Sequence, residues 1–158
     1  MYRWENDTDI WLVSNTLAPF SRYTLRNYIE NSHRDIYETR QIRFMIDTIG
    51  IGNSKTVGTI DIFDFDPYHL RAGIGILIGD NSERGKGYAD DALKVLIRYC
   101  FSVLKLHLIF CNIATDNPAS IKLFQKNGFG ITGEKKDWIK TDTGWLNEYI
   151  LQLVDKQG

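Results

Sequence analysis

Arg84, Gly85, Lys86 and Gly87 stand where an apolar run, Ile74–Ile78, gives way to a long stretch of helical periodicity. Glycines let the backbone close on a bound group without side-chain interference. The first amides of a helix have no internal partner, and the helix dipole places partial positive charge there. The amides from Gly85 through Lys86, Gly87 and Tyr88 to Ala89, with the mobile charge of Arg84 and Lys86, therefore suit a pyrophosphate. The segment is neither a P-loop nor a dinucleotide fingerprint. The Lys-Ser/Thr pair and the full three-glycine spacing are both absent.

A second element follows the next apolar run. Asn117 is a good helix N-cap, Pro118 fits the first helical position, and Gly128 fits the stop. Neither element is specific alone. Their order carries the information: strand, glycine-rich turn, long helix, strand, capped helix, Gly-Phe.

Arg84-Gly85-Lys86-Gly87-Tyr88-Ala89 resembles the acyl-CoA signature of the GNAT N-acyltransferases, Gln/Arg-x-x-Gly-x-Gly/Ala. Asn117–Phe129 resembles that family's Asn-x-x-Ala/Ser-Ile-x-Leu-Tyr-x-Lys-x-Gly-Phe helix. The likeness is strongest from Tyr68 to Gly133. Within the family, the chain is most similar to the spermidine/diamine N-acetyltransferases. Tyr68-His69-Leu70-Arg71-Ala72, Leu106-His107 and Tyr149-Ile150-Leu151-Gln152 carry that finer likeness. The ribosomal-protein N-terminal acetyltransferases share much of it.

The resemblance implies acetyl-CoA as acyl donor, no metal, and a V-shaped opening between two splayed parallel strands, here Arg71–Gly79 and Leu106–Ala114. The pantetheine arm would pair with the backbone of Ile76, Leu77 and Ile78. Asn117, Ser120, Phe124 and Lys126 would lie along the cofactor's far side. A backbone N–H near Leu77 is the implied oxyanion donor. Two positions depart from the family pattern. The usual tyrosine acid is matched by Phe124, which cannot donate, and the usual glutamate relay by Gly73. A thiol pKa near ~8.5 makes thiolate a tolerable leaving group at neutral pH. General acid help is worth roughly a hundred- to ten-thousand-fold. A water or Tyr88 is the substitute donor.

For the acceptor site the residues themselves point to Asp61, Asp64 and Asp66, interleaved with Ile60, Ile62, Phe63 and Phe65. Asp61 shares a strand face with Val57, Thr59 and Phe63, where a carboxylate is costly unless paired. Asp61 and Glu38 are expected beside the thioester end of the cleft, binding or deprotonating a cationic amine. His69 and Trp145 are further candidates.

The elements that must position these residues read as α+β. A short strand is expected at Tyr2–Glu5, then a helix near Asp9–Ser14 capped by Thr8, and a second over Ser21–Asn31. Strands follow at Ile42–Asp47, Thr56–Phe65 and Arg71–Gly79. Arg84–Lys105 is the clearest helix, with an apolar stripe from Ala89 through Leu93, Leu96 and Cys100. A buried strand, Leu106–Ile113, and the helix Asn117–Lys126 precede a closing hairpin of Phe129–Ile139 and Trp145–Val154. The sum is one domain over 1–158: a mixed, mainly antiparallel GNAT-type sheet of about seven strands flanked by about four helices.

The bulk numbers narrow the function classes. A length of 158 residues supports one core without disulfides. A formal net charge of -1 supplies no field for nucleic acid or anionic membrane. Apolar runs are too short to span a bilayer, and the N-terminus is too polar for a secretory signal. Cys100 and Cys111 sit among apolar residues and read as buried free thiols, so a cytoplasmic protein is expected. Exposed edge strands make a homodimer an option. The expected activity is acetyl transfer to a primary amine, with a polyamine or diamine as acceptor. The alternatives are a protein N-terminus, an amino sugar, and a catalytically weak acyl-CoA-binding module.

Overall fold

The computed structural model describes residues 1–7, 18–50 and 52–156. Six strands form one sheet: β1 (Ile42–Asp47), β2 (Thr56–Asp66), β3 (Arg71–Ile78), β4 (Leu108–Ala114), β5 (Gly130–Thr141) and β6 (Gly144–Val154). Their spatial order is β1-β2-β3-β4-β6-β5. All neighbours are antiparallel except β3 and β4. The described helices are α1 (Tyr2–Glu5), α2 (Arg22–Glu30), α3 (Ile36–Thr39), α4 (Tyr88–Ser102) and α5 (Pro118–Lys126). The α+β reading holds, with six described strands rather than about seven and five described helices rather than about four. The expected Thr8-capped helix falls on residues outside those described.

Tyr2–Glu5 is helical, not a strand. The Glu5 N–H donates to the Met1 carbonyl at 2.9 Å and closes a single turn. That turn lets Trp4 lie on Gly79 and Glu5 reach Arg43, both on the sheet's face. A strand would have directed neither residue there. The long helix starts at Tyr88 rather than Arg84, because Gly85 (φ 76°) and Gly87 (φ 90°) are left-handed. It ends at Ser102, short of Lys105, whose own φ is 53°. Local caps agree with the sequence elsewhere. Ser21 Oγ accepts from the Thr24 N–H at 3.0 Å, and Asn117 Oδ1 accepts from the Ser120 N–H at 3.2 Å.

The strands' period of two divides the sheet into unlike faces. Ile60, Ile62, Ala72, Ile74, Ile109, Cys111, Ile113 and Leu151 point to the core, where Leu93, Leu96 and Cys100 of α4 and Phe124 of α5 meet them. Each fully buried aliphatic there is worth roughly 1.5–3 kcal/mol. The other face holds Arg43, Asp61, Phe63, Phe110, Asn112 and Glu148, and on β3 it is nearly bare: Gly73, Gly75 and Leu77 alternate, with Gly79 just beyond. Neighbours lie flat on these glycines. A Cβ on Gly73 would come within 2.2 Å of the Phe63 ring, and one on Gly79 within 2.3 Å of the Trp4 indole. Phe63 in turn meets Phe110 edge-on, with centroids 5.9 Å apart.

Two measurements check this packing. Gly73→Ala is expected to destabilise by about 1–3 kcal/mol in chemical denaturation. The loss should shrink in a Phe63→Leu background, because the obstruction is the ring edge rather than backbone. Burial pushes the thiols of Cys100 and Cys111 up to about 12. Both should resist a thiol reagent at pH 8 until the protein unfolds. Their folded values lie above the unfolded ones. The linked stability is therefore complete below the ordinary thiol range and lost as pH climbs toward 12.

Candidate acyl-transfer cleft

β3 and β4 are paired at only three positions: Arg71 with Leu108, Ala72 with Ile109, and Gly73 with Phe110. Beyond them β4 keeps its other neighbour, β6, along its full length, and β3 keeps β2. The strands therefore part like a V. Which backbone groups face the gap follows from alternation. The Gly79 N–H donates to the Val57 carbonyl at 3.0 Å, so the odd-numbered residues of β3 bond to β2. The even-numbered residues face β4. Arg84 shows the same polarity, since its Nε donates across to the Ile78 carbonyl at 3.2 Å.

This alternation corrects one expectation. Leu77 stands opposite Thr59, and its N–H is committed to β2. The amides directed into the gap are those of Ile76 and Ile78, and Ile76 is the first beyond the last β3–β4 pair. It replaces Leu77 as the candidate oxyanion donor.

Two cavities meet in the V. One, of about 420 Å³, is lined by residues that include Ile76, Leu77, Ile78, Arg84, Gly85, Gly87, Tyr88, Ala89, Asn117 and Ser120; the carboxylates Glu83 and Asp90 also border it, paired with Lys55 and Lys86 and with Lys94 and Lys126. The other, of about 650 Å³, shares Ile76, Arg84, Asn117 and Ser120 and continues past Gly75, Asn112 and Phe124 to Asp142 and Glu148. Together they form one cleft with chemically distinct ends. At the first end, Gly87 is the N-cap of α4 and offers no side chain to cap it. The amides of the first turn stay open to an anion. A Cβ on Gly85 or Gly87 would meet nothing within 4 Å, so the turn borders open space. A pyrophosphate fits this cradle. At the other end Asp116, Asp142 and Glu148 contribute carboxylates against few cations.

Most of the expected cofactor-binding residues come together here, with two exceptions. Lys126 does not line either cavity; its ammonium is 2.9 Å from Asp90. Asp90 also accepts from Lys94 and Asn127, and these bonds, Lys94 first, hold its carboxyl well below the usual range. Lys86 likewise points to Glu83, at 2.9 Å, although its backbone belongs to the glycine turn. Phe124 is buried and packs edge-on against Phe129 at 5.0 Å, with no proton to give.

Neither Asp61 nor Glu38 lines the cleft. Arg43 donates to Asp61 from Nε at 2.8 Å and from Nη2 at 2.7 Å, and its Nη1 pairs with Glu5. The guanidinium also lies 5.6 Å from the Tyr28 ring centre. Burial opposes the Arg43 charge, but the Asp61 hydrogen bonds outweigh it and hold the pKa above its usual range. Asp61 thus joins α1, α2 and β1 to β2 instead of serving as a free base. Glu38 is exposed on α3 and faces Arg34 at 3.7 Å. His69 and Trp145 do not line the cleft.

The cleft residue that sequence reasoning passed over is Glu148. It is 3% exposed, the one buried charged residue among those described. The available signal was a carboxylate on a strand face otherwise carrying Leu146 and Ile150.

A family model for the acetyltransferase (GNAT) domain matches residues 1–130. The chain belongs to the GNAT acetyltransferase family. The spermidine N(1)-acetyltransferase of Vibrio cholerae is 24% identical over 111 residues, 70% of this chain and 61% of that protein. The GNAT chain thus spans about three fifths of that relative's length. A crystal structure of spermidine N-acetyltransferase from Vibrio cholerae with CoA and spermine has a TM-score of 0.83. It shares 20% identity and covers 97% of this chain and 86% of that one. A dodecameric structure of the Vibrio cholerae enzyme gives 0.71 at 19% identity, covering 90% and 84%. These likenesses establish the GNAT fold.

The site makes its own prediction. Arg43→Met should cost about 1–3 kcal/mol in urea denaturation, because Asp61 loses the guanidinium that makes two hydrogen bonds to it in a largely buried position. That is less than for a fully buried pair, since both side chains retain some solvent.

Proposed function

We propose that this GNAT protein transfers an acetyl group from acetyl-CoA to a primary amine, with a polyamine or diamine as acceptor. One observation carries the reading: the cleft opened between β3 and β4 has an uncapped helix N-terminus at one end and carboxylates at the other. The first end suits an anionic carrier and the second a cation. The similarity to spermidine N(1)-acetyltransferase supports the polyamine class.

Acetyl-CoA, when bound, supplies an activated acyl thioester. The amides of Tyr88 and Ala89, with Arg84, would hold its pyrophosphate, and the glycines at 85 and 87 would let it approach. Ile76 and Ile78 would give the pantetheine arm the strand partner that β4 does not supply. The Ile76 N–H is preorganised to donate where negative charge develops on the acyl oxygen, an arrangement worth about 3–4 kcal/mol. Phe63, lying over Gly73, excludes water from the position of the usual glutamate. Phe124 donates no proton, so thiolate departure depends on its own modest basicity, with pKa near ~8.5.

The edge strands β1 and β5 and the dodecameric relative support self-association. The buried free thiols suit a reducing, cytoplasmic setting. Among the described residues no helix is long and apolar enough to cross a membrane.

The test is release of coenzyme A thiol from acetyl-CoA with spermidine, putrescine, amino sugars and peptides as acceptors. Turnover with a polyamine is expected. Turnover with peptides or amino sugars alone would keep the reaction and replace the acceptor. Acetyl-CoA binding without turnover on any acceptor would point to a binding module.

A further inference from the structure

β5 departs from its pairing with β6 between Lys135 and Ile139. Lys135 pairs with Glu148 and Ile139 with Leu146, so three residues of β5 stand opposite Asn147 alone. Asp137, with φ 47°, turns the chain there, and its N–H donates to Asn147 Oδ1 at 2.9 Å. The bulge brings Trp138 back over Lys135, whose Nζ lies 4.7 Å from the ring centre. The same Nζ donates to Glu148 Oε1 at 2.8 Å and to Asn112 Oδ1 at 3.3 Å. A carboxylate, a carboxamide and an aromatic face thus surround one primary ammonium.

Such a set matches the needs of an alkylammonium: opposite charge, a neutral acceptor and a π face. Two of its members, Glu148 and Asn112, also line the acceptor end of the cleft. Glu148 has an ordinary reason to be buried only if a cation accompanies it. In this structure the chain's own Lys135 is that cation, held on a stem that reaches from β5 across β6 to β4. Lys135 is itself a quarter exposed, so its head group can exchange with solvent.

We propose that Glu148, Asn112 and Trp138 form a subsite for the primary ammonium of the acceptor, and that Lys135 is a resident occupant which the incoming amine displaces. The inference rests on the cleft being an amine-acceptor cleft. It adds the residues that recognise the amine and a built-in competitor for them.

Chemical rescue tests it without acetyl-CoA. Lys135→Met keeps the stem's bulk and removes the charge, leaving Glu148 without its cation, so the melting temperature falls. Ethylammonium at ten times its Kd should then raise that temperature by about 3–6 °C. Sodium at equal ionic strength should not, and neither should ethylammonium with the Lys135→Met, Glu148→Gln double variant. Spermidine, followed by calorimetry, should bind Lys135→Met at least about tenfold more tightly than wild type, because the competitor is gone. Equal responses to ethylammonium and sodium, or unchanged spermidine affinity, would overturn the proposal.

If Lys135→Met does not fold, Glu148→Gln decides in its place. It should weaken spermidine binding about tenfold or more relative to wild type, and undiminished binding would refute the subsite. The two readings fail separately. Rescue without any acetyl transfer keeps the subsite and discards the reaction. Transfer to a polyamine without rescue keeps the reaction and discards the subsite.

Discussion

After Gly73 and Phe110 the parallel strands β3 and β4 stop pairing, while each remains bonded on its outer side. Backbone amides and carbonyls are costly to leave unsatisfied, and the groups along this gap are already fixed in extended geometry. The rest of the site is arranged around that unfilled ladder. α4 follows β3 after the turn that carries Gly85 and Gly87, and its uncapped first turn sits at the mouth of the gap. α5 follows β4 and lays Asn117, Ser120 and Phe124 along the other wall. The core beneath, from Ile62 and Ile74 to Leu93 and Leu151, holds the two strands at their separation.

Local chemistry made part of this legible in the sequence. Gly85 and Gly87 adopt the left-handed conformations that their type suggests, and Asn117 and Pro118 start α5 where capping rules place it. These signals lie within a few residues of what they determine. The alternation of β3 was equally readable, but the partner of each strand edge was not. That the Ile76 amide rather than that of Leu77 faces the gap required knowing which residues β2 takes. The helical turn at Tyr2–Glu5 escaped for a related reason, since its contacts lie at Arg43 and Gly79.

The two carboxylates make the point most directly. Asp61 and Glu148 each interrupt an apolar strand face, and the same argument about the cost of an unpaired charge applies to both. Asp61 meets a guanidinium that closes its hydrogen bonding and ties three elements together. Glu148 meets a single flexible ammonium at the edge of an open cleft. The cation that answers each charge comes from another strand, 18 residues away in one case and 13 in the other. Residue type and spacing do not distinguish a clamp between elements from a carboxylate at a cleft; the tertiary partner does.

On the face that holds Gly73, Gly75 and Leu77, β3 presents almost no side chains. Gly73 and Gly75 give the strand almost no part in shaping that side of the sheet with side chains. Phe63 of β2 and Trp4 of α1 cover its glycines instead, and the β5–β6 hairpin lines the cleft through Ile139, Thr141 and Leu146. Substitutions in those elements can reshape this side of the molecule while the backbone of β3 stays the same. The backbone of β3 and the surface that covers it are thereby separable, one set by hydrogen-bond geometry and the other by side chains from β2, α1 and the hairpin.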